Sequence, residues 1–147
     1  MNNDELIKQY LQLALKLNEY TSYNSKQNDS SPSPYTTQSN ILSLLKNYPK
    51  LRQVDLRHKL NITNQTISLA LIKLESEGYI IRKTSNIDIR RKDIELTDKG
   101  WAITIQTDQK KMDVSQIFNV LNKDEKEEFS NYIIRLIYKL ENKLKDV

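Results

Sequence analysis

Between positions 63 and 68, Thr63, Asn64, Gln65, Thr66 and Ser68 carry hydroxyl or carboxamide groups. Such side chains compete with the backbone for hydrogen bonds and weaken helix interiors. Yet an apolar set at helical spacing, Ile67, Ala70, Leu71 and Leu74, runs through the same stretch and stops before Gly78. A helix built this way has one face for a core and a polar tip for something outside it. Asn and Gln carboxamides form paired hydrogen bonds with an adenine edge, and Ser and Thr hydroxyls donate or accept. The first turn of a helix also offers unsatisfied N–H groups and a partial positive charge to a phosphate. The plainer alternative is that Thr63 caps the helix and its neighbours are solvated; for Thr63 both readings hold together.

The second chemical cluster is cationic. Residues 51 to 92 hold nine basic side chains, among them Lys73, Arg82, Lys83, Arg90 and Arg91, against the four acids Asp55, Asp88, Glu75 and Glu77. That segment carries +5 of a chain total of +4, so the rest is about −1. A local basic excess is the footprint of a polyanion partner, whose phosphates would supply much of the affinity. Exposed ion pairs of little energetic value are the competing account of these charges.

The elements that must position these groups follow from pattern. Residues 4 to 20 predict an amphipathic helix, with Leu6, Tyr10, Leu13 and Leu17 on one stripe and Ile7, Leu11 and Ala14 widening it. Residues 21 to 34 are polar and proline-punctuated, a loop. Thr36 or Thr37 caps a second helix that turns Ile41, Leu44 and Leu45 inward and stops at Tyr48-Pro49. Arg52 to Leu60 predicts a third helix burying Val54, Leu56 and Leu60; Arg52 is a poor cap and is free to meet phosphate. Asn61-Ile62 is the turn, and residues 64 to 77 the fourth helix, ended by Gly78. The period then becomes alternating over Tyr79–Lys83 and Asp93–Leu96, a hairpin with a long basic tip. Thr97 caps a fifth helix carrying Trp101, Ile105 and Met112. Asn122 and Glu125 form a capping-box pattern before a last helix to about Lys145, with Phe129, Ile133, Leu136, Leu140 and Leu144 in register.

Composition excludes several classes. The chain has 147 residues, suited to one domain or two small interlocked parts. With no cysteine and a single histidine, His58, disulfides, thiol chemistry and a His/Cys metal site are not expected. The chain has two glycines and no phosphate-cradling loop, and no nucleophile–base pairing suggests an enzyme. No run of about 18 apolar residues marks a membrane span, and MNNDELIKQY lacks the order of a signal peptide, so a cytoplasmic location is expected. The first and last helices carry more apolar surface than one small domain covers, which points to a dimer.

Helix, helix, turn, helix, hairpin is the order of a winged helix-turn-helix. Residues 36 to 100 resemble the multiple-antibiotic-resistance regulator (MarR) family of bacterial transcription factors. "DIRRKDIELTDKG" fits that family's wing pattern through Asp88, Arg90, Ile94, Leu96, Thr97 and Gly100, and "TISLALIKLESEGYI" resembles its recognition helix and first wing strand. The resemblance implies a mostly α fold with a small two- or three-stranded β wing. Residues 36–99 would bind DNA, 1–20 and 100–147 would form the dimerisation region, and 21–35 would be a polar loop. It sets Arg90 at the wing tip in the minor groove, oriented by Asp88; arginine suits a narrow, negative groove because its planar head is weakly hydrated. It implies an organic effector, with Tyr10, Tyr35, Trp101 and Met112 as candidate pocket walls, although aromatics at helical spacing are more often core. Leu69 and Ile72 depart from the family, which often has basic residues there. Leu69 would then touch a thymine methyl or pack internally.

The expected function is that of a homodimeric, sequence-specific regulator of transcription, a repressor, reading a pseudo-palindrome in double-stranded DNA without a cofactor. The alternative is a winged-helix protein–protein module that has lost DNA binding, which Leu69 and Ile72 favour.

Overall fold

A computed structural model describes residues 1–23 and 31–145. It contains α1 (Asn3–Tyr23), α2 (Thr37–Asn47), α3 (Gln53–Leu60), α4 (Asn64–Ser76), β1 (Ile80–Thr84), β2 (Lys92–Leu96), α5 (Asp98–Ser115) and α6 (Lys123–Lys145), with a 3-10 turn at Gln116–Val120. One compact unit runs to Val114 and a second begins at Ser115. The expected fold class is the one observed: mostly helical, with one two-stranded antiparallel sheet.

The core of the first unit gathers Ile41, Leu42 and Leu45 of α2, Leu56 of α3, and Ile67, Leu71 and Leu74 of α4 under Tyr79, Ile80 and Ile94 of the hairpin. Each such side chain contributes about 1.5–3 kcal/mol on burial, so the helix-turn-helix and its hairpin fold as one body. β1 and β2 pair from Ile80 opposite Leu96 to Thr84 opposite Lys92. Leu51 forms a bridge to Ile94, a third rung that stops short of a strand.

The termini of the elements follow local chemistry. Thr36 caps α2 by accepting the Ser39 N–H. Gly78, at φ +80°, closes α4 in the left-handed region, and Tyr79 N–H returns to the Leu74 carbonyl. The Thr97 hydroxyl accepts the Gly100 N–H and donates to the Gly78 carbonyl at 2.6 Å, tying α5 to the end of α4. Gly100 has no room for a side chain, because a Cβ there would collide with the Tyr79 carbonyl. Asn122 and Glu125 form the expected reciprocal box, and Asn2 and Glu5 form a second one at the start of α1.

Four expectations require correction. Helix α1 continues to Tyr23, so positions 21–23 are not loop, and the stretch 24–30 of the predicted loop lies outside the described residues. Val54 is exposed, leaving Leu56 as the buried anchor of α3. Arg52 is not free for phosphate: Asp55 accepts both its backbone N–H and its guanidinium, at 2.9 and 3.3 Å. This is the return half of a capping box, made by the acid because an arginine side chain cannot accept. The Arg52 backbone N–H, more than the guanidinium, holds the Asp55 carboxyl below its usual range. Lastly, α5 buries Ile103, Thr104, Thr107, Lys110 and Val114, whereas Trp101, Ile105 and Met112 are exposed. Thr104 and Thr107 tolerate burial because each hydroxyl donates to the carbonyl one turn back.

The terminal helices behave differently from the core. Along α1 only Leu17 and Thr21 are partly covered among the described side chains, and every residue of α6 is exposed.

Candidate nucleic-acid interface

The site starts at a turn. Asn61 adopts the left-handed conformation, which its short amide tolerates, and reverses the chain between α3 and α4. Thr63 then caps α4, accepting the Thr66 N–H while its Oγ1 lies 2.9 Å from that of Thr66. Two of the five predicted polar groups are therefore occupied in part by the cap itself. Ser68 is half-buried, and its hydroxyl accepts the Gln53 carboxamide at 2.7 Å, a brace between the two helices. Asn64 and Gln65 are exposed, and neither side chain makes a hydrogen bond among the described residues. They are the two carboxamides with their full edges available.

The outward face of α4 continues with Leu69, Ile72 and Lys73, all exposed. Leu69 does not pack internally: 66% of its surface is open. Lys73 makes no ion pair among the described residues. A shallow groove beside it is lined by Thr36, Thr37, Gln38, Thr66, Leu69 and Ala70.

At the wing, the chain turns between the two strands through bonds from Ser85 N–H to the Arg91 carbonyl and from Arg91 N–H to the Asp88 carbonyl. Asp88 accepts the Arg90 backbone N–H at 2.9 Å and its Nε–H at 3.2 Å. Those two bonds, the backbone one foremost, hold the Asp88 carboxyl below its usual range. The Arg90 guanidinium stays 88% exposed. The arrangement displays a cation at the tip while limiting its rotation.

The other wing cations have carboxylate neighbours that their positions in sequence do not reveal. Arg82 lies 3.4 Å from Glu75, Lys83 3.2 Å from Glu95, and Arg91 3.1 Å from Asp93. Arg90 is paired with Asp88 in the same way but is far more exposed, whereas Lys73 and Lys92 have no carboxylate within 4 Å among the described residues. Two residues absent from the sequence-based candidates also stand out. Ile87 and Ile89 flank Asp88 and are 95% and 86% exposed. The signal for them was an aliphatic pair inside an otherwise polar tip.

Of the candidate pocket walls, Tyr10 on α1, Tyr35 in the turn before α2, and Trp101 and Met112 on α5 are all exposed within the single chain. The Tyr35 hydroxyl reaches the Lys111 carbonyl at 3.5 Å, and the Lys110 ammonium donates to the Ser31 carbonyl, so the segment entering α2 is fastened to α5.

This geometry has relatives. The MarR family pattern matches residues 35–92. An HTH-type transcriptional regulator of Bacillus cereus is 40% identical over 67 residues, 46% of this chain; that match spans 44% of the relative, less than half its length. Among solved structures, the PcaV transcriptional regulator of Streptomyces coelicolor in complex with its natural ligand superposes at a TM-score of 0.70 with 21% identity, covering 93% of this chain and 92% of that one. A mutant MarR from E. coli complexed with operator DNA superposes at 0.66 with 24% identity, covering 90% and 91%. At such identities these structures establish the winged-helix fold. Residues 35–92 thus match the MarR family, and the likeness across the rest of the chain is one of fold.

Proposed function

We propose that the chain is a homodimeric, sequence-specific DNA-binding regulator of transcription, acting as a repressor at a pseudo-palindromic operator. The observation that carries this reading is the pairing of two exposed groups on one folded body. Asn64 and Gln65 stand at the tip of α4 with no side-chain hydrogen bond among the described residues, and Arg90 is displayed by Asp88 at the tip of the wing. In this reading α4 enters the major groove, where Asn64 and Gln65 meet base edges and Thr63, Thr66 and Ser68 approach the backbone. Arg90 enters the neighbouring minor groove, and Lys73 with Arg91 and the other wing cations serves phosphates. The Bacillus relative's designation as a transcriptional regulator and the operator-bound state of the E. coli MarR support it.

The dimer rests on α1 and α6. Ile133, Leu136, Ile137, Leu140 and Leu144 of α6 and Leu6, Ile7, Tyr10 and Leu13 of α1 are exposed within one chain. Apolar surface on that scale requires cover, and a second copy supplies it symmetrically. Two-fold symmetry would set the two recognition helices roughly 34 Å apart, one turn of DNA. An organic effector bound near Tyr10, Tyr35, Trp101 and Met112 would release DNA by preferring another spacing of the two helices. PcaV, solved with its natural ligand, is the supporting precedent.

The exposure of Leu69 and Ile72 favours a second reading, a winged helix that binds a protein. Gel shifts with the DNA upstream of the chain's own gene, at two salt concentrations, separate the two. A retarded complex that weakens with salt supports the regulator; no complex at either concentration supports the protein module.

A further inference from the structure

Gln65, Leu69, Ile72 and Ser76 recur at spacings of four, three and four along α4, opposite the buried Ile67, Leu71 and Leu74. Leu69 and Ile72 therefore lie on the same outward line as Gln65, and they are 66% and 59% exposed. We propose that Leu69, with Ile72 behind it, determines specificity by contacting the 5-methyl group of thymine in the major groove. The proposal rests on the DNA-binding reading above and names what part of the sequence the helix reads.

Thymine alone presents a methyl group in the major groove. Leucine against that methyl removes apolar surface of both from water. Cytosine has no methyl at that position, so the same side chain gains no such burial against it. The contact thus favours thymine by about the burial of one methyl group. The 1.5 Å rise of a helix puts Leu69 about 6 Å along the axis from Gln65, roughly two steps of 3.4 Å along a DNA strand. With Gln65 suited to adenine, the two side chains favour A·T pairs about two steps apart in each half-site.

The surroundings fit a base edge better than a protein. At one end of the line stand the exposed carboxamides of Asn64 and Gln65, and beside Leu69 stands Lys73. The adjoining groove mixes Thr36, Thr37, Gln38 and Thr66 with Leu69 and Ala70. A stable protein partner covers about 800 Å² on each side, and here it would have to strip water from all of these groups. Two aliphatic side chains set in a polar and cationic surround need an equally small apolar target.

The test begins with duplexes selected from a random pool by the full-length wild-type chain. Each thymine of the recovered half-site is then replaced singly by uracil, which deletes the methyl and leaves the base pairing intact. The expected result is a three- to fivefold loss of affinity at one or two thymines, the factor that burial of about one methyl group yields. Leu69→Ala should bind thymine and uracil duplexes alike at that position. Uracil tolerated within about 1.5-fold at every position, with a motif still selected, would overturn the methyl contact and leave the DNA-binding reading standing. A chain that recovers no motif and captures another protein through Leu69 would overturn both.

Discussion

Asp88 accepts three hydrogen bonds from Arg90, from its backbone N–H at 2.9 Å, its Nε–H at 3.2 Å and its Nη2–H at 3.5 Å. One carboxylate thereby fixes both where the wing turns and where its foremost cation points. The guanidinium remains 88% exposed, so the pair contributes little to stability and a good deal to display. Arg90→Ala should therefore cost about 1–3 kcal/mol of specific DNA binding and leave circular dichroism and thermal unfolding unchanged. Asp88→Asn should cost less, because it loosens the arginine without removing it. Equal affinity of Arg90→Ala and wild type on a selected operator would contradict the wing's role.

Acid should act on two such carboxylates. Asp55 and Asp88 both have folded-state pKa values below the ordinary Asp value. A depressed pKa means that the bond to Arg52 or Arg90 is fully present above the unfolded value and is lost as pH falls through the folded one. The stability difference between wild type and Asp55→Asn should thus stay constant from neutral pH down to the ordinary carboxylate range and shrink only below it. Denaturant melts over that range check the sign; a difference that shrinks between pH 8 and pH 6 would contradict the assignment.

The wing's ion pairs sort its cations by salt dependence. Lys73 has no carboxylate partner among the described residues, whereas Lys83 is 3.2 Å from Glu95. Lys73→Gln should lower the slope of log affinity against log salt by about 0.9, the release of one phosphate's counterions. Lys83→Gln should change it less. Gln65→Ala should instead lower affinity for the selected operator more than for random DNA, since a base contact carries information and a phosphate contact does not.

Much of this was legible in the sequence, for a local reason. Caps and stops depend on residues three or four apart, so Thr36, Thr63, Thr97, Gly78 and the Asn122–Glu125 box could be read directly. The polar tip of α4 and the Asp88–Arg90 pair are equally local. What escaped depends on distant or compensated contacts. Gln53 and Ser68 meet across a helix pair, 15 positions apart. The carboxylates beside Arg82 and Lys83 come from another element or the other strand. In α5, periodicity pointed to Trp101, Ile105 and Met112, while the buried side includes Thr104 and Thr107, made acceptable inside by bonds to their own helix. Arg52 escaped because its cap comes from Asp55, the opposite end of the usual box.

Gly78 and Gly100 should respond differently to alanine. Gly78 needs a left-handed conformation at φ +80°, and a Cβ there would meet only the Lys99 side chain at ordinary contact distance, so Gly78→Ala should cost about 1–2 kcal/mol. Gly100→Ala drives a methyl into the Tyr79 carbonyl, so the α4–hairpin–α5 junction must shift and the loss should be larger. Thermal melts of the two variants decide the order; a milder effect at Gly100 would contradict the packing described.

Dimerisation should be separable from the fold of the winged domain. Leu136 is exposed on α6, in the unit beginning at Ser115, while the helix-turn-helix core lies wholly within residues 41–103. Leu136→Lys should shift sedimentation toward monomer and weaken operator binding, with the helical signal retained. A wild-type chain that stays monomeric at micromolar concentration would remove the dimer.

The most direct measurement is selection of random duplexes by the wild-type chain, followed by sequencing of what it retains. Two inverted A·T-rich half-sites, centred about one helical turn apart, are the predicted outcome. Retained duplexes with no shared motif, or a single half-site without its inverted mate, would contradict a symmetric reader of the double helix.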